Sequence, residues 1–367
     1  MANVDQAFDA RGPEWRWDRY HRRWVVISPR RAKRPGSYPP VNMVADLGDG
    51  GVDPCPFCPG HEDRTPPEIL RHGEGGSGWN LRVIPNLYGL VQPSENPAPW
   101  GNAADPTSGG SRPPASMPAH GAAEVIIETP DHHMQMADLS AAEVGLFFRT
   151  CAERIRQHRA QGYPYACVFK NYGREAGASL AHSHSQLIAL PFVPPEVLRW
   201  HGLGGADGAD GDEGGDACPF CVDGEDGFPP DYAVTTAGDW RSFVPWASAA
   251  PYEMWITPRA HHADHGVDDG VDDEVSLVDF ASFPDAALNV LGDLLRRHLR
   301  ALRATVGDVP YNLLFHAFST PAVHWHLEIV PRITRIAGFE WATGSYVNPV
   351  DPADAARRLR EEVGGGG

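Results

Sequence analysis

The sequence predicts an α+β fold built from one duplicated unit whose strands are mostly antiparallel. Three observations predict it. The tetrapeptide Cys55-Pro56-Phe57-Cys58 returns unchanged as Cys218-Pro219-Phe220-Cys221. A β-rich run ending in Thr-Pro and followed by a His pair occurs at 124–133 and again at 253–262. A His-x-His strand closes each half, His182-Ser183-His184 in the first and His324-Trp325-His326 in the second. Landmarks that recur in one order mark an internal repeat.

The elements follow from local pattern. After each Cys pair comes a short strand, Leu81–Asn86 and Arg241–Trp246, and then the Thr-Pro strand. Ser140-x-x-Glu143 reads as a capping box that opens a helix carrying Leu146, Phe147, Cys151 and Ile155 at helical spacing, with Gly162 ending it. Its counterpart begins near Pro284 and carries Leu288, Leu291, Leu295, Leu299 and Leu302. Each helix leads to a Pro-Tyr strand, starting at Pro164 and Pro310, and then to the His-x-His strand. A Pro/Gly/Ser-rich insert at about 101–120 and an acidic Gly-rich stretch at 201–217 read as loops. The second of these separates an N-terminal half, 1–200, from a C-terminal half, 218–363.

Composition narrows the function. In 367 residues, 31 Lys and Arg stand against 48 Asp and Glu, a net charge of −17. Such a surface opposes duplex DNA or anionic lipid as the main partner. The absence of a charged-then-apolar leader and of an apolar run near 18 residues predicts a cytoplasmic protein outside the membrane. Only 2 of the 31 basic residues are Lys, which we read as coding bias. Cys151 and Cys167 lie in apolar runs and are expected to be buried thiols. Arg22, Arg23, Arg30, Arg31, Lys33 and Arg34 form a basic cluster suited either to solvent or to phosphate.

The repeat also pairs metal-ligand types. A C-x-x-C knuckle offers two thiolates, and tetrahedral zinc needs two further N or S ligands. In the first half these are Cys55, Cys58, His132 and His182; in the second, Cys218, Cys221, His261 and His324. His133 and His262 are the alternatives, and the repeat favours the first of each pair because it directly follows the strand and its turn. A redox pair usually opens a helix after a strand, whereas Pro and Gly surround both of these pairs. Four protein ligands leave no open position, so the expected zinc is structural.

On a strand His182, His184 and Gln186 share a face, which sets a free imidazole beside the metal ligand. Imidazole is a competent nucleophile toward an activated phosphoryl group, and Gln186 can donate to phosphoryl oxygens without a titratable proton. That combination suits transfer to a sugar phosphate better than hydrolysis. The upstream loop Asn171–Ser179, rich in Gly, could set backbone N–H groups, Arg174 and Ser179 around phosphates.

These residues resemble the galactose-1-phosphate uridylyltransferase family, a branch of the histidine-triad superfamily, over nearly the whole chain. The most specific match is His182-x-His184-x-Gln186 following Phe169-x-Asn171-x-Gly173 and Gly177-x-Ser179. The resemblance implies two histidine-triad-like halves assembled as a homodimer. It implies His184 as the uridylylated nucleophile, Gln186 steadying the intermediate, and Ser179 with Gly177 at the phosphates. It further implies Asn86 and Asn171 by the nucleotide, Arg31 and Arg34 as the N-terminal basic motif, Glu340 at the substrate, and zinc on Cys55, Cys58, His132 and His182.

The chain departs from the family in places. Some members have an iron-type site of one Glu and three His; His316, His324 and His326 fit those histidines, but the Glu position falls at Trp200, with Glu196 the nearest acid. The second Cys pair resembles instead the members with two zinc sites, including the ADP-glucose phosphorylase branch, although His326 leans toward the uridylyltransferases. Tyr346 stands where some uridylyltransferases have Gln. The expected reaction is ping-pong transfer of UMP from UDP-glucose to galactose 1-phosphate through His184, with zinc at one or both sites and iron as the alternative at the second. The rival readings are an ADP-glucose or dinucleoside polyphosphate phosphorylase with the same nucleophile and, further off, a non-enzymatic zinc module.

Overall fold

The computed structural model describes residues 12–33, 54–73, 78–93, 118–200, 220, 229–259, 262–263, 275–276, 279–318 and 325–365. The linker at 201–217 and most of the insert at 101–120 lie outside these residues.

One ten-stranded antiparallel sheet runs through both halves. Its strands are β3 (Leu70–Gly73), β4 (Trp79–Pro85), β5 (Ala122–Ile127), β6 (Tyr165–Tyr172), β7 (His184–Leu190), β8 (Ala233–Ala237), β9 (Trp240–Phe243), β10 (Met254–Pro258), β13 (Tyr311–Phe318) and β14 (Leu327–Pro331). Their spatial order is β3-β4-β5-β7-β6-β13-β14-β10-β9-β8. The seam is β6 against β13, the two Pro-Tyr strands, which pair from Tyr311↔Tyr172 to Phe318↔Tyr165. The duplicated halves therefore join edge to edge, each strand covering what would otherwise be an exposed sheet edge on the other.

Helices α1 (Ala141–Ala160) and α3 (Asp285–Val306) cover one face of this sheet, and a short helix α2 (Pro195–Trp200) follows β7. At the start of α1 the expected capping box is complete. The Ser140 side chain accepts from the Glu143 N–H, and the Glu143 carboxylate accepts from the Ser140 N–H. Gly162 just past α1 has φ +96°, the left-handed conformation that ends a helix. Pro284 is the N-cap of α3, whose Leu288, Leu291, Leu295, Leu299 and Leu302 are all buried. Each such side chain taken fully from water contributes about 2 kcal/mol. The helices touch at Gly145 and Gly292, where a Cβ on Gly292 would meet the Gly145 nitrogen at 2.5 Å.

The sheet alternates faces. Val168, Leu187, Leu313 and Ile329 point into the core under the helices. Phe169↔Gln186, Leu314↔Phe169 and Leu314↔Glu328 are cross-strand partners, so Gln186, Phe169, Leu314 and Glu328 form a row on the opposite face. A smaller sheet, β1 (Glu14–Asp18), β2 (Arg23–Ile27) and β15 (Tyr346–Asn348), lies against the second half. Tyr20, in the turn of its hairpin, packs against Phe220 and Trp255. The two-stranded pair β11 (His262–Ala263) and β12 (Val275–Ser276), helix α4 (Gly338–Thr343) and helix α5 (Pro352–Gly365) complete the described strands and α-helices. Cys151 is fully buried as expected, but Cys167, on the seam strand, is only half-buried. Among the described residues no helix is long and apolar enough to cross a membrane.

Candidate active site and metal centre

The knuckle Cys55–Cys58 sits beside the end of β5 and the start of β7. Cys55, Cys58, His132 and His182 each offer a ligand atom, and these atoms lie within 4.8 Å of one another. Cys58 Sγ is 3.4 Å from His132 Nδ1 and 3.7 Å from His182 Nδ1. His182 Nε2 is 2.7 Å from the Thr129 carbonyl. A carbonyl only accepts, so Nε2 carries the proton and Nδ1 presents its lone pair to the cysteines, the arrangement a metal-binding imidazole needs. Burial holds the His182 imidazole down to about 4, which keeps it neutral, and pushes the Cys58 thiol up to about 11 with Cys55 beside it. Two thiolates with two neutral imidazoles fit a tetrahedral cation of the zinc type. His133 is exposed and stands outside the cluster, while His132 is inside it.

β7 begins at His184, two residues beyond the cluster residue His182. His184 is buried, with Phe57 of the Cys knuckle against its ring at 5.5 Å between centroids. Its Nδ1 donates to the carbonyl of His182 at 2.8 Å. That bond assigns the proton to Nδ1 and leaves Nε2 as a lone pair. Burial first, and the Lys170 ammonium second, hold the imidazole below its ordinary pKa and hence unprotonated at neutral pH.

Around His184 the open face carries amides. Asn86 donates from Nδ2 to Gln186 Oε1 at 3.1 Å, so Gln186 turns its NH2 group outward. Asn171 Nδ2 reaches the Gly177 carbonyl at 3.4 Å, and Asn312 donates to both Asn171 Oδ1 and the Ala176 carbonyl. Gly177, with φ +96°, lets the loop close on Asn171. Ser179 is exposed on that loop.

The remaining candidates fall elsewhere. Arg31 is exposed in the turn Pro29–Lys33 that follows β2. Glu340 lines a cavity of about 290 Å³ in the second half together with His21, Arg23, Glu328, Arg335 and Tyr346. Glu328 stands three strand spacings from Gln186, about 14 Å across the sheet. Arg34, Cys218, Cys221, His261 and His324 lie outside the described residues.

Several site residues were not singled out from sequence. Asn312 belongs to the second half and reaches Asn171 only because β13 pairs with β6. Glu128, Lys170, Ser183 and Ser185 form a buried polar cluster directly behind His184. The one available signal was polar residues at inward positions of apolar strands.

Comparison with known proteins places this geometry. Residues 111–194 match the galactose-1-phosphate uridyl transferase N-terminal domain. An ADP-glucose phosphorylase from Arabidopsis thaliana is 34% identical over 360 residues, covering 95% of this chain and 93% of that one. The chain belongs to the galactose-1-phosphate uridylyltransferase family. The crystal structure of the Arabidopsis thaliana ADP-glucose phosphorylase with bound ADP-glucose superposes with a TM-score of 0.74 at 32% identity, covering 96% and 99% of the two chains. A galactose-1-phosphate uridylyltransferase from Thermotoga maritima is 23% identical over 369 residues, covering 92% and 95%. The expected α+β fold is thus the family's own, and this chain is a member of a nucleotidyltransferase family.

Proposed function

We propose that the protein transfers a nucleotidyl group from a nucleotide sugar through His184. Nε2 of His184 attacks the α-phosphorus, a P–N bond forms, and the bond to the β-phosphate oxygen breaks with release of the sugar 1-phosphate. A phosphate oxygen of the second substrate then attacks the same phosphorus, and Nε2 leaves with its lone pair. One observation carries this reading: the Nδ1–H bond to the His182 carbonyl, which presents a neutral Nε2 on the face lined by Gln186, Asn86 and Asn171. The Gln186 NH2 group steadies the phosphoryl oxygens, and Ser179, Gly177 and Arg174 supply further donors as the loop meets substrate.

For the donor, ADP-glucose with inorganic phosphate as acceptor is favoured by the 34% identity to the Arabidopsis thaliana phosphorylase over almost the full length of both chains. The second reading is UMP transfer from UDP-glucose to galactose 1-phosphate, favoured by His326 in the second-half strand. Zinc on Cys55, Cys58, His132 and His182 would hold the knuckle and the start of β7 together. A second metal, zinc or iron, would use Cys218, Cys221, His261 and His324. We place Arg31, Arg34 and Glu340 at substrate, in a cytoplasmic homodimer.

The test is intact-mass analysis after mixing with ADP-glucose or UDP-glucose, alongside glucose 1-phosphate release. An AMP or UMP adduct on the native chain, absent from His184→Gly, is the expected result. An adduct that persists in His184→Gly sinks the assignment. Discharge of AMP by phosphate, or of UMP by galactose 1-phosphate, decides between the donors.

A further inference from the structure

Lys170 on β6 and Glu128, just beyond β5, are buried charges. The Lys170 ammonium donates to Glu128 Oε2 at 2.8 Å, to Ser183 Oγ at 2.9 Å and to the His184 carbonyl at 3.1 Å. An ammonium has three hydrogens, and all are used. The Glu128 carboxylate also accepts from Ser183 Oγ at 2.6 Å and from Ser185 Oγ. Ser183 and Ser185 flank the nucleophile and point to the helix-covered face, away from His184. The same short segment holds the strand twice more: the Glu128 N–H donates to the Ser183 carbonyl, and the Thr129 carbonyl accepts from His182 Nε2–H.

Stability is a weak reason to keep such a pair, since well-packed apolar residues commonly replace a buried ion pair without loss. Its location is a better one. We propose that Lys170 and Glu128 are positioning residues for the nucleotidyl-transfer step. They clamp the backbone from Ser183 to Ser185 so that the His184 Nδ1–H bond to the His182 carbonyl holds and Nε2 stays aimed at the substrate face. The proposal rests on the reading of His184 as nucleophile given above.

The experiment uses the full-length protein and the double variant Lys170→Met/Glu128→Leu, which exchanges the pair for apolar side chains of similar reach. Single-turnover adduct formation with ADP-glucose and UDP-glucose gives a rate and a half-saturating concentration, and ¹⁵N–¹H correlation of the ligand-free protein reads the His184 Nδ1–H directly. The double variant is expected to melt near the native temperature. It should form the adduct at least ~10-fold more slowly, with the half-saturating concentration within ~2-fold and the Nδ1–H signal broadened or shifted. A native rate with a native Nδ1–H signal overturns the proposal. Should the double variant fail to fold, Ser185→Ala, which removes one hydroxyl from Glu128, decides by the same two readouts. If the native protein forms no adduct with either donor, the transfer reading fails, and the Nδ1–H signal alone then decides the positioning.

Discussion

His184 opens β7 and His326 immediately precedes β14, two strands placed symmetrically about the β6–β13 seam, and each has the Phe of its own Cys-Pro-Phe-Cys tetrapeptide against its ring. Two residues further on, the first strand carries Gln186 and the second Glu328. In the first half the amide is neutral, bonded to Asn86, and His184 Nε2 is left open. In the second half the carboxylate lies 3.5 Å from both His326 Nε2 and His21 Nε2, and the His326 ring stacks on Trp255 at 4.9 Å. Burial alone would raise the Glu328 carboxyl, but the His21 imidazolium holds it well below the carboxylate range, while Glu328 and Asp18 push His21 up to about 9 against its own burial. One strand pattern thus serves two ends: an imidazole kept neutral and available, and an imidazole tied beside a permanent anion.

The sharpest break of that comparison is His184→Ala beside His326→Ala. The first is expected to lower turnover by ~10⁴-fold or more, as loss of a covalent nucleophile does, and the second to leave adduct formation within ~3-fold. Comparable losses in both, read by quenched-flow adduct formation, would place the two imidazoles on equal terms. Next is Gln186→Glu, which gives the first half the second half's residue. It removes a donor to the phosphoryl oxygens and sets an anion beside them, so a loss of ~10²–10³-fold in kcat is expected. Full activity would mean that the amide N–H has no part in the reaction.

Local signals made much of this legible. The capping box at Ser140 and the stop at Gly162 are read within a few residues, and the structure forms both. The Cys55, Cys58, His132, His182 set was legible because the chain repeats itself, which selects ligand types in register. The continuous sheet was not legible, since β6 meets β13 across about 140 residues and no turn chemistry announces the pairing. Lys170 and Glu128 escaped for the opposite reason: single charges in apolar strands read as solvent-facing until the pairing shows them facing each other. The role of His21 was equally hidden, because its partner Glu328 lies some 300 residues away in sequence.

The Cys-Pro-Phe-Cys tetrapeptides extend the comparison to stability. Cys58→Ser is expected to remove one equivalent of metal from the protein as isolated and to lower unfolding stability by about 3 kcal/mol, the scale of a lost structural ligand. Metal analysis with thermal melting checks both. Metal content unchanged by the substitution would dissociate this cluster from cation binding. Cys221→Ser, run in parallel, asks whether the second tetrapeptide holds a cation of its own.

The smallest expected effect concerns pH, and it rests on two buried histidines, His298 in the second half and His21 packed against it. His298 on α3 donates from Nδ1 to the Leu294 carbonyl at 2.7 Å and reaches the Ser242 hydroxyl with Nε2, and burial holds it down to about 4. A histidine lowered from 6.5 in the unfolded chain costs nothing above pH 6.5, and stability is lost as pH falls from there toward 4. By pH 5 this amounts to about 2 kcal/mol. His21 acts with the opposite sign: raised to about 9, it contributes its full stability below pH 6.5 and loses it as pH climbs from 6.5 through 9. Melting curves from pH 5 to 9 should therefore form a dome. His298→Gln should flatten its acid limb, and Glu328→Gln, by removing the carboxylate that keeps His21 charged, its alkaline limb. A native protein equally stable at pH 7 and pH 9 would show that His21 and Glu328 do not form a charged pair, and the electrostatic contrast between the two halves would fall with it.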